Sequence, residues 1–147
     1  MNIDWVIPAR HAEIHDNLAT IVGGGIDRQA VPELPAVVAL MLAVRLTATS
    51  EEIGPDHQHS WRNIVKNPGG EAIAEGGGEF AIGAENPQTD WLNNFLISAA
   101  IQFQAEVEGT YTIELIVDEQ SSALPVHVVV EPLEVLGDAD ADADADA

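Results

Sequence analysis

Hydrophobic and polar residues alternate near the C-terminal end of the chain in a pattern that predicts two β-strands. One run precedes the polar segment 118–122 and the other follows it, and each places four apolar side chains on one face. The apolar positions are Tyr111, Ile113, Leu115 and Val117 in the first run and Leu124, Val126, Val128 and Val130 in the second. A short polar connection between two such runs is typical of a β-hairpin with one buried face.

Residues 91–107 fit two periodicities. Trp91, Leu92, Phe95, Leu96, Ala99 and Phe103 would form the apolar face of a helix capped by Asp90. Every odd position from 95 to 107 is apolar, however, and five of the six even positions between them are not strongly apolar. A helix would also leave Ile97 and Ile101 on its polar face. The pattern therefore favours one long strand.

Five further segments have the length and composition of strands, and residues typical of turns separate most of them. They are Ile3–Ile7, Leu18–Val22, Val37–Thr47, His57–Lys66 and Glu79–Gly83. The glycine triplets Gly23–Gly25 and Gly76–Gly78 lack the lysine and hydroxyl residue of a phosphate-binding loop, so both are predicted to be turns. Seven or eight strands, with a turn about every ten residues, are typical of a β-sandwich.

The chain divides into a folded body and a tail. Its 147 residues suit one domain, and residues 1–136 contain enough Val, Ile, Leu and Ala for a core. Residues 137–147 repeat Asp and Ala and have nothing to bury, so a disordered acidic tail is expected there. The absence of cysteine excludes disulfides and thiol chemistry. No run of about 18 apolar residues occurs, and a soluble, cytoplasmic protein is expected.

Acidic residues dominate the charge of the chain. There are 25 Asp and Glu against five Arg and Lys, which gives a net charge of −20. Nucleic acids and anionic membranes bind to cationic surfaces, so neither is expected as a partner. Repulsion among unpaired carboxylates should destabilise the folded state at low salt. Adaptation to a salty cytoplasm and a biased genome composition both explain this balance, and the sequence leaves both open.

Four segments have a recognisable sequence: His15–Asp27, Val31–Pro35, Gly109–Glu114 and Leu124–Val130. They resemble a family of small uncharacterised bacterial proteins that is described as a domain of unknown function and is thought to form β-sandwiches. The resemblance runs from about Ile3 to Glu131 and rests on turns and strand ends, so it implies a fold and no activity. The Gly-x-Tyr sequence that ends at Tyr111 is similar to the corner of immunoglobulin-like domains, where the tyrosine hydroxyl bonds to nearby backbone. The expected fold is an all-β, immunoglobulin-like antiparallel β-sandwich.

Two groups of histidines are candidate metal ligands. His11, Glu13 and His15 would bring both imidazoles together on a helix, but on a strand the two histidines lie about 13 Å apart, and Glu13 could share an ion with only one of them. His57 and His59 would project from the same face of a strand. Zinc normally has at least three protein ligands, and no additional ligand is evident in the sequence for either group. A solvated strand face and a packed histidine pair are the alternative interpretations.

No motif in the sequence defines a reaction. The sequence favours a non-enzymatic binding or assembly module that needs no cofactor and pairs with an unknown protein partner or with itself. A metal-binding protein or metal-dependent enzyme that uses a histidine pair is one alternative, and a structural subunit of a larger assembly is another. The alternating aspartates of the tail support weak cation association at most.

Overall fold

A computed structural model describes residues 1–83 and 92–133, and nine β-strands account for most of them. The strands are β1 (Asn2–His15), β2 (Leu18–Gly24), β3 (Arg28–Val31), β4 (Ala36–Ala48), β5 (Gln58–Lys66), β6 (Ala72–Ala81), β7 (Asn93–Ala105), β8 (Gly109–Val117) and β9 (Gln120–Val130). A short 3-10 turn, Ser50–Glu52, follows β4. The described part of the chain contains no α-helix.

The strands form two sheets, which confirms the all-β prediction. The order in the four-stranded sheet is β2-β1-β4-β7, and the order in the five-stranded sheet is β3-β9-β8-β5-β6. Neighbouring strands are antiparallel, except that the short strand β3 runs parallel to β9. The predicted antiparallel arrangement therefore holds everywhere except at one sheet edge.

Both sheets bury one face in a shared hydrophobic core. From the four-stranded sheet, Leu42 and Val44 of β4 are fully buried, and from the five-stranded sheet, Ile113 and Leu115 of β8 are fully buried. Each pair is two residues apart because successive side chains of a strand point to opposite faces. The hairpin predicted from this period is present, and Ile113 lies opposite Leu124.

β7 is a strand rather than a helix, as the alternation of residues 95–107 predicted. It pairs with β4 along its whole length. Ile101, Phe103 and Ala105 are buried on one face, which a strand allows and a helix would not. The other helix signals, Asp90 and Trp91, lie outside the described residues, as do residues 134–147 with the Asp-Ala repeat.

The structure has nine strands among its described residues instead of the expected seven or eight. β3 was missed because its four residues are too few for an alternating pattern to be recognised. β1 was expected to end at Ile7 but continues to His15. Its second half has a largely exposed, polar face, so little in its composition marks it as a strand.

The glycine triplet Gly76–Gly78 lies inside β6, so the prediction of a turn there was wrong. A Cβ atom on Gly77 would stand 2.6 Å from the backbone oxygen of Trp61 in β5. The side chains of Trp61 and Asn63 lie against the other two glycines. Glycine is therefore required by the close approach of two strands and not by a reversal of the chain.

Tyr111 ties the β7–β8 connection to the core. Its side chain is buried, and its hydroxyl donates a hydrogen bond to the backbone oxygen of Val107 at 2.9 Å. The backbone N–H of Val107 points back to the same hydroxyl at 3.4 Å. This is the corner contact that the Gly-x-Tyr sequence suggested.

The second half of β1 and all of β2 form a hairpin arm, residues 10–24. β1 pairs with β4 as far as Ala9 and pairs only with β2 beyond it. Asp16 and Asn17 form the turn at the tip with φ of 48° and 56°, a conformation that Asp and Asn adopt more readily than most residues. The Asn17 amide accepts a hydrogen bond from Leu96 N and donates one to Asn94 O, both at 2.9 Å.

The arm crosses β4, because β4 separates β1 from β7 in the sheet and Asn17 nevertheless reaches β7. Ala43 alternates with the core residues Leu42 and Val44 and so points away from the core, yet it is fully buried. Ala12 of the arm is buried as well. The arm therefore covers part of the outer face of the four-stranded sheet with one side and exposes its other side.

Candidate functional site

The first histidine group lies on the exposed side of the arm. His11, Glu13 and His15 occupy alternate positions of β1, so their side chains share one face. The Glu13 carboxylate lies between the imidazoles, 3.5 Å from Nε2 of His15 and 3.9 Å from Nε2 of His11. All three side chains are more than half exposed. Each histidine thus contacts the glutamate and not the other histidine, as strand spacing predicted.

The second histidine group is divided between two environments. His57 is exposed and precedes β5, whereas His59, within the strand, is only 7% exposed. The expected packed pair is therefore a single packed histidine. Nδ1 of His59 lies 2.9 Å from Oδ2 of Asp118, and Nε2 lies 2.7 Å from the backbone oxygen of Glu52. Neither ring nitrogen is left for a metal ion.

Both ring nitrogens of His59 face oxygen atoms of other residues. The two contacts, one to a carboxylate and one to a backbone oxygen, fix the orientation of the ring. The other oxygen of Asp118, Oδ1, accepts a hydrogen bond from the backbone N–H of Ser60 at 2.9 Å. Burial raises the pKa of Asp118, but the bonds from Ser60 and His59 outweigh it, and the pKa is lowered. His59 and Asp118 form a hydrogen-bonded pair at the edge of the core.

Glu52 joins this pair to the start of the chain. Its carboxylate accepts hydrogen bonds from the ammonium group of Met1 and from the backbone N–H of Thr49. The bond from the terminal ammonium is the largest influence on the pKa of Glu52, which is lowered. These hydrogen bonds connect the start of the chain to the turn after β4 and to the β8–β9 turn. The polar groups of the cluster are engaged with one another.

The described residues do not bring three metal-binding side chains to one point. No group of three His, Asp or Glu residues within 1–83 and 92–133 is placed to hold an ion. A cleft of about 580 Å³ lies between the glycines that end β2 and strand β3, and Arg10 and the ion pair of Arg28 with Glu131 border it. Neither histidine group lines this cleft. Over the same residues, no helix has the length and apolar character needed to cross a membrane.

Sequence reasoning missed the exposed side of the arm. Leu18 is 72% exposed and Val22 is 55% exposed. Their strand, β2, contains no charged residue and no proline, and no further strand of the described chain lies beside it. Edge strands normally carry a charge, a proline or a bulge that prevents pairing with another chain. The alternation of residues 18–22 predicted a strand, but which side is exposed depends on the path of the arm across β4.

Comparison with known proteins gives a family without an activity. No curated protein matches the chain. The model of a family of unknown function (DUF6941) matches residues 5–129, which include most of both sheets, the arm and both histidine groups. This match confirms the resemblance to a domain of unknown function. Because residues 5–129 make up well over half of the 147 residues, the chain belongs to the family of unknown function DUF6941.

Proposed function

We propose that this protein is a non-enzymatic module that binds a protein partner or assembles with itself, including as a subunit of a larger structure. The observation that carries the proposal is β2, an uncharged edge strand with exposed Leu18 and Val22 in a chain of net charge −20. An open strand edge offers backbone N–H and C=O groups to which another strand can add. A partner would also cover the two exposed apolar side chains.

The placement of the titratable groups supports a binding role. Catalytic groups converge in a concave pocket that excludes water. His59 and Asp118 are instead bound to each other and to backbone groups. Glu13 and its two histidine neighbours lie on an exposed strand face outside the cleft beside β3.

We further propose that the two sheets form an immunoglobulin-like sandwich. The order β9-β8-β5-β6 matches the order G-F-C-C′ in the sheet of variable-type immunoglobulin domains. The Tyr111 hydroxyl bond near the start of β8 matches the tyrosine corner at the start of strand F. Such sandwiches often serve as binding modules, so similarity of fold supports a binding function by analogy.

Light scattering and affinity capture from the protein's own cell extract test the binding proposal together. Thr20→Lys places a charge in the middle of β2, and Ser121→Lys places the same charge at an exposed position of β9. We expect the wild type and Ser121→Lys to self-associate or to retain a protein that Thr20→Lys does not retain. A wild type that stays monomeric and captures nothing beyond what Thr20→Lys captures would contradict the proposal.

Metal binding by Glu13 together with one neighbouring histidine is a second candidate, favoured by the 3.5 Å between the Glu13 carboxylate and Nε2 of His15. Elemental analysis of protein purified without chelator tests it, with His11→Ala/His15→Ala as the control. An equivalent of metal that the double variant lacks would support the site. Less than about a tenth of an equivalent, with no thermal shift on adding zinc, manganese or iron, would eliminate it.

A further inference from the structure

We propose that the strand that adds to β2 is β2 of a second copy, paired antiparallel about a two-fold axis at Thr20; this inference rests on the proposed binding function. The exposed residues Leu18 and Val22 lie two positions before and two positions after Thr20. Antiparallel pairing centred on Thr20 therefore sets each Leu18 opposite Val22 of the second copy. A two-fold contact requires a self-complementary surface of this kind.

The backbone of β2 has the matching free groups. A two-residue turn makes His15 and Leu18 a hydrogen-bonded pair, and the next such pair is Glu13 with Thr20. The N–H and C=O groups of Ala19 and Ile21 consequently point to the open edge. In the pairing centred on Thr20, Ala19 of each copy faces Ile21 of the other, so these groups bond to one another.

The exposed side chains meet at the positions where contact is closest. Because Ala19 and Ile21 form the hydrogen-bonded pairs, Leu18 and Val22 fall in non-hydrogen-bonded pairs, whose side chains approach more closely. Each copy then covers the apolar side chains of the other. The pairing extends the two-stranded arm into a four-stranded sheet with the order β1-β2-β2-β1.

The distribution of charge permits association at this edge. Two copies of net charge −20 repel each other, so a contact needs a surface where carboxylates are few. β2 has none, and Glu13, which shares the exposed side of the arm, is flanked by two histidines. In the extended sheet the two Glu13 residues lie three strand spacings, about 14 Å, apart. This separation exceeds the Debye length of about 8 Å at physiological salt, and added salt should strengthen the dimer.

A cysteine at the axis tests the partner and the register at once. The chain has no cysteine, so Thr20→Cys introduces a single thiol. The two residues at position 20 would have Cα atoms about 4.5 Å apart, within the range of about 4.4–6.8 Å that a disulfide spans. We expect mild oxidation to link Thr20→Cys into a dimer at least about tenfold faster than Ser121→Cys. Leu18→Cys should stay unlinked because it faces Val22, and Leu18→Cys/Val22→Cys should link again.

Light scattering of the unmodified chain tests the association itself. We expect the mean mass to rise from 15.6 kDa toward twice that value between about 5 and 500 μM, and the rise should begin at lower concentration in potassium chloride. The variant Thr20→Lys should stay at the monomer mass while its melting temperature matches that of Ser121→Lys.

The outcomes separate this inference from the proposed function. A monomeric chain that retains another protein through β2 would overturn self-pairing and leave the binding function in place. A dimer in which Thr20→Cys cross-links no faster than Ser121→Cys would overturn the pairing centred on Thr20 and leave the binding function in place. A wild-type chain that neither self-associates nor captures a partner would overturn both the inference and the proposed function.

Discussion

Replacing Asp118 by asparagine should lower the free energy of unfolding by about 2 kcal/mol at about pH 7. A hydrogen bond to a charged group contributes about 1.5–3 kcal/mol, and the 30% exposure of the Asp118 side chain favours the lower half of that range. The amide of Asp118→Asn can still accept the bond from Ser60 N–H. The substitution does remove the negative charge next to His59, whose ring is nearly buried. Urea unfolding in molar potassium chloride, which screens the other carboxylates, measures the difference.

The pH dependence of this difference has a defined sign. Burial raises the pKa of Asp118, but the bonds from Ser60 and His59 hold it below the ordinary value of 3.8. A carboxyl group whose folded pKa is depressed stabilises the fold above its unfolded pKa, and this contribution is lost as the pH falls through the folded pKa. The gap between the wild type and Asp118→Asn should therefore close as the pH falls below 3.8.

Glu119→Gln is the matched control, because it removes a carboxylate from the same turn where the side chain is exposed. We expect it to change the free energy of unfolding by less than about 0.5 kcal/mol. If Asp118→Asn is equally neutral, the contact of the Asp118 carboxylate with His59 does not stabilise the fold. If the Asp118→Asn difference persists unchanged in acid, its cause is not the charge of the carboxylate.

Close packing at Gly77, the Tyr111 hydrogen bond and the acidic charge should each affect stability. Gly77→Ala should cost about 1–3 kcal/mol, because the new Cβ would stand 2.6 Å from the Trp61 oxygen, whereas Gly83→Ala, with open space around it, should cost far less in thermal unfolding. Tyr111→Phe should cost about 1 kcal/mol because Val107 O loses its donor, and a urea midpoint equal to that of the wild type would argue against the corner bond. The melting temperature of the wild type should rise between low and molar potassium chloride; if it does not, carboxylate repulsion does not limit stability and the salt-adaptation interpretation fails.

The strands that were predictable from the sequence are those that bury one complete face. β7, β8 and β9 each alternate over nine or more residues, so the period of two is unmistakable. β3, with four residues, is held by its parallel contacts to β9 and has no period of its own. The triplet Gly76–Gly78 has no side chains that could show a period. The side chains that lie against these glycines belong to β5.

The candidate site was less predictable because its contacts are distant in sequence. His57 and His59 have the same spacing as a ligand pair, and only the start of β5 at Gln58 distinguishes the exposed residue from the buried one. Asp118 was identified only as a turn residue, although its carboxylate contacts a histidine 59 positions earlier. The path of the arm depends on contacts from Asn17 to β7, 77 and 79 residues later in the chain.

Burial explains the absence of acidic residues from β4, but it does not explain their absence from β2. β4 contains no Asp or Glu, although the chain has 25 of them, and its central residues are covered by the core on one side and by the arm on the other. An unpaired carboxylate there would be costly to desolvate. β2 also lacks acidic residues, yet Leu18 and Val22 are well exposed. Cover by a second chain would give β2 the same physical reason to exclude charge that β4 has within one chain, which is why the cross-link at Thr20 is the decisive measurement.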